Sequence, residues 1–153
     1  MSNPIPPNVA LGTIGELFVQ MKLLELGWQT APPLKDSGND LIAIRGDDVL
    51  CLQVKTTKTG YRRKPKLINS KGEMCKWDAY VYVRFNNESP IRHDNAEVKI
   101  YSRPHDDIPK DWHKTDLKQI TDSVLGEVVR DKGYRLSKDK VKKMKAADRK
   151  KHG

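Results

Sequence analysis

The chain has 153 residues, of which 37% are hydrophobic, and this length and composition predict one folded domain with a modest core. No apolar run approaches the roughly 20 residues that cross a bilayer, so we expect a cytoplasmic protein and exclude a membrane-spanning one. The formal net charge of +9, from 29 Lys and Arg against 20 Asp and Glu, favours a polyanion as partner.

The first predicted element is an amphipathic helix over Val9–Leu26, which follows a proline-rich irregular arm at residues 1–8. Gly27 ends the helical pattern. The apolar residues that recur at helical spacing are Ile14, Leu17, Phe18, Met21 and Leu24. Glu16 flanks this apolar stripe near the expected start of the helix. Its carboxylate has two interpretations: a capping box in which it bonds the Thr13 amide, or a functional acid.

The next elements form a β-hairpin that brings three polar side chains together. Two apolar runs rich in strand formers, Leu41–Ile44 and Val49–Val54, are joined by a turn that contains Gly and Asp. Asp40 opens the first strand, and Gln53 and Lys55 close the second. Because side chains alternate along a strand, Gln53 and Lys55 point to the same face. The far ends of two antiparallel strands lie side by side, so Asp40 is expected beside both.

This arrangement of an acid, a hairpin and Gln53-Val54-Lys55 resembles the core of the PD-(D/E)xK nuclease superfamily. Asn39 stands where the superfamily has its proline, and Gln53 replaces the second acid, as in Mrr-like relatives. Glu16 matches the first-helix glutamate of Holliday-junction-resolvase-like and Mrr-like nucleases, which often begin with Gly-x-x-Gly-Glu and an amphipathic helix. The resemblance implies an α/β fold with a mixed central β-sheet flanked by helices, the restriction-endonuclease-like core of order α-β-β-β-α-β.

The resemblance also implies a metal-dependent endodeoxyribonuclease, either structure-specific, such as a junction-resolving enzyme, or restriction-like or homing-like. Its Mg²⁺, for which Mn²⁺ can substitute, prefers oxygen ligands. The implied ligands are Asp40 as anionic anchor, Glu16 as second acid, the Gln53 side-chain oxygen and the Val54 carbonyl. Lys55 would position or deprotonate the attacking water, or stabilise transition-state charge. Cutting both strands requires two sites, which favours a homodimer.

The alternative is a nucleic-acid-binding module that keeps the fold and has lost catalysis, because Gln53 removes one negative charge from the implied metal site. Both functions use the same basic segments: residues 55–76 carry +7, residues 132–153 carry +8, and the rest of the chain carries −6. This distribution is typical of proteins that bind phosphate backbones, although a solvated tail explains the second segment equally well. The residues of the first segment that are expected to contact DNA are Lys58, Tyr61, Arg62, Arg63, Lys64 and Lys66.

The remaining elements complete one domain over residues 9–133, followed by a basic tail at residues 134–153. The other predicted strands are Trp28–Ala31, Ala79–Phe85, which is expected in the centre of the sheet, and Glu97–Ser102. The apolar residues that mark a second helix are Leu117, Ile120, Val124 and Val128. That helix is expected to end near Gly133, and residues 56–76 are expected to form a DNA-facing loop. The sequence contains no zinc-ligand spacing, P-loop or dinucleotide motif, so no nucleotide cofactor is expected.

Overall fold

The computed structural model of the chain describes residues 7–32, 40–58, 71–72, 76–86, 90–92, 94, 96–103, 114–117 and 120–152. In chain order its elements are α1 (Pro7–Glu25), β1 (Gln29–Ala31), β2 (Leu41–Arg45), β3 (Asp48–Thr57), β4 (Ala79–Arg84), β5 (Glu97–Ser102), β6 (Lys114–Leu117) and α2 (Asp122–His152). Within the described ranges, no helix is both long enough and apolar enough to cross a membrane.

The strands form one mixed six-stranded sheet in the order β1-β2-β3-β4-β5-β6. β3 and β4 are parallel, whereas the other neighbouring strands are antiparallel. The predicted fold class, an α/β domain with a mixed central sheet and flanking helices, is confirmed. So is the central place of β4, between β3 and β5. The loop predicted at residues 56–76, where the superfamily has a helix, falls largely outside the described residues.

One face of the sheet forms the hydrophobic core with both helices. Along β3, Leu50, Leu52 and Val54 are buried, whereas Val49 on the opposite face is 42% exposed. The helix residues that belong to the same core are Phe18, Val19, Leu23, Val124, Leu125 and Val128. Because side chains alternate across a strand, the residues between these buried positions project from the other face. That alternation sets the direction of Gln53, which lies between Leu52 and Val54.

The start of α1 decides between the two interpretations of Glu16. The helix begins at Pro7, so Thr13 lies inside it rather than at its N-cap. Thr13 Oγ1 donates a hydrogen bond to Val9 O at 3.1 Å, a contact within the helix. A capping box requires the Ser or Thr to precede the helix, so the capping interpretation is wrong. The carboxylate of Glu16 is therefore not explained by the helix terminus.

The second helix differs from its prediction at both ends. Leu117 was expected in the helix but ends β6, an edge strand that was not predicted from the sequence. α2 continues through Gly133 to His152, so its predicted end near Gly133 is wrong. A single glycine inside a helix costs only about 1 kcal/mol. Contacts on both sides of Gly133, made by Lys132 and Arg135, hold the helix across that position.

A buried ion-pair cluster fixes α2 to the sheet at the start of β4. Asp78 is only 5% exposed. Its Oδ2 accepts hydrogen bonds from Cys51 N at 2.8 Å and from Lys132 Nζ at 2.9 Å, and its Oδ1 accepts one from Arg135. Lys132 Nζ also donates to Val49 O at 2.6 Å. We call this set of contacts the Asp78 clamp, since it joins the helix to two neighbouring strands.

Candidate active site

The candidate site lies where the residue before β2 meets the middle of β3. A backbone hydrogen bond from Asp40 N to Leu52 O, at 2.8 Å, extends the pairing of the two strands by one residue. Asp40 Oδ2 then accepts hydrogen bonds from Gln53 Nε2 and from Val54 N, both at 2.9 Å. Two donors on one oxygen hold the carboxylate in a fixed direction. The structure therefore places Asp40 beside Gln53.

Lys55 projects from the same face of β3 as Gln53 and is exposed. The hairpin pattern predicted that Gln53 and Lys55 close the second strand. Instead β3 continues to Thr57, so both side chains lie inside the strand. The added length comes from Thr56 and Thr57, which are strand formers and pair with the parallel neighbour β4. The hairpin pattern concerns only β2 and β3, so it does not predict the pairing of β3 with β4.

Glu16 reaches the same site from α1. Burial raises the pKa of the Glu16 carboxyl, and the negative charge of Asp40 raises that pKa further. The two acids come from separate elements, and the charge of Asp40 disfavours the charged form of Glu16. Such a pair is stabilised when a cation binds to both carboxylates.

In metal-free protein, Glu16→Gln is expected to raise the melting temperature at neutral pH. A carboxyl whose folded-state pKa lies above its ordinary value of 4.5 stabilises the fold below that value, and this contribution is lost as the pH rises through the folded pKa. Glutamine stays neutral and avoids that loss. Melting temperatures in EDTA should differ at neutral pH and converge below pH 4.5. A variant with a lower melting temperature than wild type at neutral pH would show that the ionised carboxylate of Glu16 does not destabilise the folded state.

The neighbour of Glu16 packs α1 closely onto β3. Gly15 is buried, and a Cβ at this position would lie 1.7 Å from Thr56 Oγ1. Only glycine therefore allows the helix to approach the strand this closely. Because Thr56 is adjacent to Lys55 in β3, the contact also sets the position of Glu16 relative to the strand that carries the site.

Gly15→Ala is expected to lower the free energy of unfolding by about 2 kcal/mol, because overpacking a filled contact forces backbone shifts. Gly12→Ala on the same helix is the matched control, since nothing lies within 4 Å of a Cβ at Gly12. That control should gain up to about 1 kcal/mol from the higher helix propensity of alanine. Denaturant unfolding of both variants measures the difference, and equal stability would rule out a required close contact at Gly15.

The oxygen atoms of the cluster suit a hard divalent cation such as Mg²⁺ or Mn²⁺. They are the carboxylates of Glu16 and Asp40, the side-chain oxygen of Gln53 and the carbonyl of Val54. In the structure Gln53 turns its Nε2 towards Asp40, so the amide must rotate before its oxygen can face a cation bound to Asp40. No group of three or more Asp, Glu, His or Cys side chains that could hold a metal occurs in the described ranges. Water would have to complete the coordination of an ion held here.

The structure joins Asp40 and Gln53 by a hydrogen bond, places Glu16 near enough to Asp40 for that charge to raise the Glu16 pKa, and places Lys55 on the strand face of Gln53. Lys58 is half-buried and directly follows β3. The other predicted DNA contacts lie outside the described residues; they are Tyr61, Arg62, Arg63, Lys64 and Lys66. The packing role of Gly15 was not predicted, although a glycine beside a candidate acid on an apolar helix is a signal for close approach.

The chain is similar in part to a solved nuclease structure. No known protein family and no curated protein matches the sequence. The solved structure is that of a bacterial homing endonuclease, I-Ssp6803I, with 16% sequence identity and a TM-score of 0.42. The matched region covers 69% of this chain and 84% of that chain. Both the identity and the TM-score are low, so no residue role is transferred from that enzyme.

Proposed function

We propose that the protein is a metal-dependent endodeoxyribonuclease that hydrolyses phosphodiester bonds at the cluster of Glu16, Asp40, Gln53 and Lys55. The main support is the convergence of α1 with the β2–β3 pair on one carboxylate. Asp40 is held at 2.9 Å by Gln53 Nε2 and by the amide of Val54, and its charge opposes the ionisation of Glu16. Two acids that can share a cation, with a lysine on the same strand face as Gln53, are suited to phosphodiester hydrolysis.

Each residue has a distinct role in this proposal. Glu16 and Asp40 would hold the cation, while Gln53 and the Val54 amide keep the Asp40 carboxylate in place. When bound, Mg²⁺ or Mn²⁺ lowers the pKa of a water and stabilises negative charge on the phosphate. As an ammonium, Lys55 can orient the attacking water or stabilise charge on the phosphate; as the neutral amine, it would instead accept the proton of that water.

The ligand we propose is DNA. The predicted DNA contacts remain part of the proposal, because they follow Lys55 closely in the chain and carry most of the positive charge of their segment. They are Lys58, Tyr61, Arg62, Arg63, Lys64 and Lys66. The homodimer also remains a proposal, since one chain supplies one site and duplex cleavage requires two. Sedimentation of the protein with and without a duplex measures the assembly.

A second candidate function is a binding module without catalysis. The observation that favours it is Gln53, which lacks the charge of the acid in the superfamily pattern and presents its Nε2 to Asp40. A site with fewer negative ligands binds a divalent cation less tightly. The basic segments are common to both functions, so only a measurement of cleavage separates them.

The test is incubation of wild-type protein with a plasmid, a linear duplex, a four-way junction and a flap substrate, in Mg²⁺ or Mn²⁺, with EDTA as control. We expect at least one substrate to be cut only when the cation is present, and the substrate that is cut identifies the preferred DNA structure. Binding of the substrates without cleavage in either cation would instead support the binding module.

A further inference from the structure

Beyond the Asp78 clamp, α2 continues as an exposed helix. We call residues 136–152 the arm. Every described side chain in residues 136–150 is exposed, whereas Lys132 and Arg135, which precede them, are partly buried in the clamp. At a rise of 1.5 Å per residue, the arm is about 25 Å long. Its starting point on the body is fixed by the clamp.

Four basic residues of the arm lie on one side of the helix. Lys138, Lys142, Lys145 and Arg149 follow one another at spacings of four, three and four residues, which places them in one row. Tyr134 begins the same row, with its ring centroid 5.4 Å from Lys138 Nζ. The row is about 16 Å long. One DNA strand carries a phosphate about every 3.4 Å along the axis, so the row is long enough to face about five phosphates.

Two ordinary reasons for basic residues in a helix do not explain the row. Cations in the last turn stabilise the helix dipole, but Lys138 and Lys142 lie more than two turns before His152. The second ordinary reason is that lysines form ion pairs with acidic residues three or four positions away on the same helix. However, the arm has eight Lys and Arg against only Asp139 and Asp148, so most of its positive charge is not balanced within the arm. A surface with this excess of charge is suited to a polyanion.

We propose that the arm binds the phosphate backbone of duplex DNA that flanks the cleavage site, through the row of Lys138, Lys142, Lys145 and Arg149. This inference rests on the proposed function in taking DNA as the ligand. The clamp attaches α2 at Val49 and, through Asp78, beside Cys51, and these positions lie six and four residues before Lys55 in β3. The arm therefore begins roughly 13 to 20 Å along the strand from Lys55, the length of about four to six base pairs.

The test compares two triple variants in the full chain. Lys138→Gln, Lys142→Gln and Lys145→Gln together form the row variant. Lys140→Gln, Lys143→Gln and Lys150→Gln together form the control variant, because these exposed lysines lie on the same helix but outside the row, about 110° or more around the helix axis from its centre. Both variants lose three charges, and glutamine has nearly the helix propensity of lysine. Binding to a fluorescent duplex of about 30 base pairs is measured by anisotropy in EDTA across a range of salt concentrations.

The row variant is expected to bind at least about tenfold more weakly at 0.1 M salt, with a salt slope shallower by about 0.9 for each phosphate that the arm no longer neutralises. The control variant should change clearly less. Equal weakening in both variants, or unchanged binding by the row variant, would overturn the proposal. Binding is measured in EDTA and therefore does not depend on cleavage. If wild-type protein binds DNA through the row but never cuts it, the nuclease function is refuted and the proposal for the arm stands.

Discussion

Lys55→Ala is expected to abolish detectable DNA cleavage, with a rate loss on the order of 10²- to 10³-fold, the size of effect seen when a group that stabilises transition-state charge is removed. The side chain is exposed, so the free energy of unfolding should change by less than about 0.5 kcal/mol. In the proposed site Glu16 and Asp40 hold the cation, so cation binding should be retained. Single-turnover cleavage and calorimetric titration with Mn²⁺, on the same preparation, measure the two properties separately.

Two further variants sharpen this result. Lys76→Ala removes another exposed lysine from the same basic segment and should cut DNA at close to the wild-type rate. Lys55→Arg keeps the positive charge but cannot lose its proton near neutral pH. Partial activity in Lys55→Arg would therefore indicate charge stabilisation, whereas inactivity would indicate proton transfer by the lysine. Cleavage by Lys55→Ala at the wild-type rate would remove Lys55 from the site.

Asp78→Asn is expected to lower the free energy of unfolding by about 3 kcal/mol, because removing one partner of a buried ion pair leaves the others without a counter-charge. Asp78 is 5% exposed and pairs with both Lys132 and Arg135, whose side chains are 24% and 11% exposed. For a chain of this length the loss corresponds to a fall in melting temperature of roughly 10 °C. Thermal unfolding followed by circular dichroism measures it.

Asp122→Asn is the matched control for the clamp. Asp122 also connects α2 to the sheet, through a 2.8 Å contact with Arg45, but its side chain is 64% exposed. Exposed ion pairs contribute about 1 kcal/mol or less, so this variant should remain near wild type. If both variants lost the same amount of stability, burial of Asp78 would not be the source of its contribution.

The hairpin and the contact between Asp40 and Gln53 could be predicted because they depend on local pattern. Two apolar runs and a short turn fix the register of β2 and β3, and the register alone places Asp40 beside Gln53. Strands β4 and β5 could also be predicted, because β-branched or aromatic residues make up four of the six positions of β4 and three of the six of β5.

The parts that could not be predicted depend on contacts between distant segments. The contact of Gly15 with Thr56 joins residues 41 positions apart, and no local pattern records it. The continuation of α2 past Gly133 depends on Asp78, which lies far away in the chain. β6 is a four-residue edge strand that exists through its pairing with β5. In each case tertiary packing overrides the local signal.

Cleavage of a plasmid at rising Mn²⁺ concentration, by wild-type protein and by Asp40→Asn purified in parallel, tests the proposed active site most directly. Asparagine keeps an oxygen that can accept from the Val54 amide but removes the anionic anchor of the cation. Asp47→Asn, in the exposed turn of the same hairpin, controls for the loss of one negative charge. We expect saturable cleavage by wild type and Asp47→Asn, and none by Asp40→Asn. Equal cleavage by all three proteins, or no cleavage by wild type at any Mn²⁺ concentration, would contradict the assignment of the site.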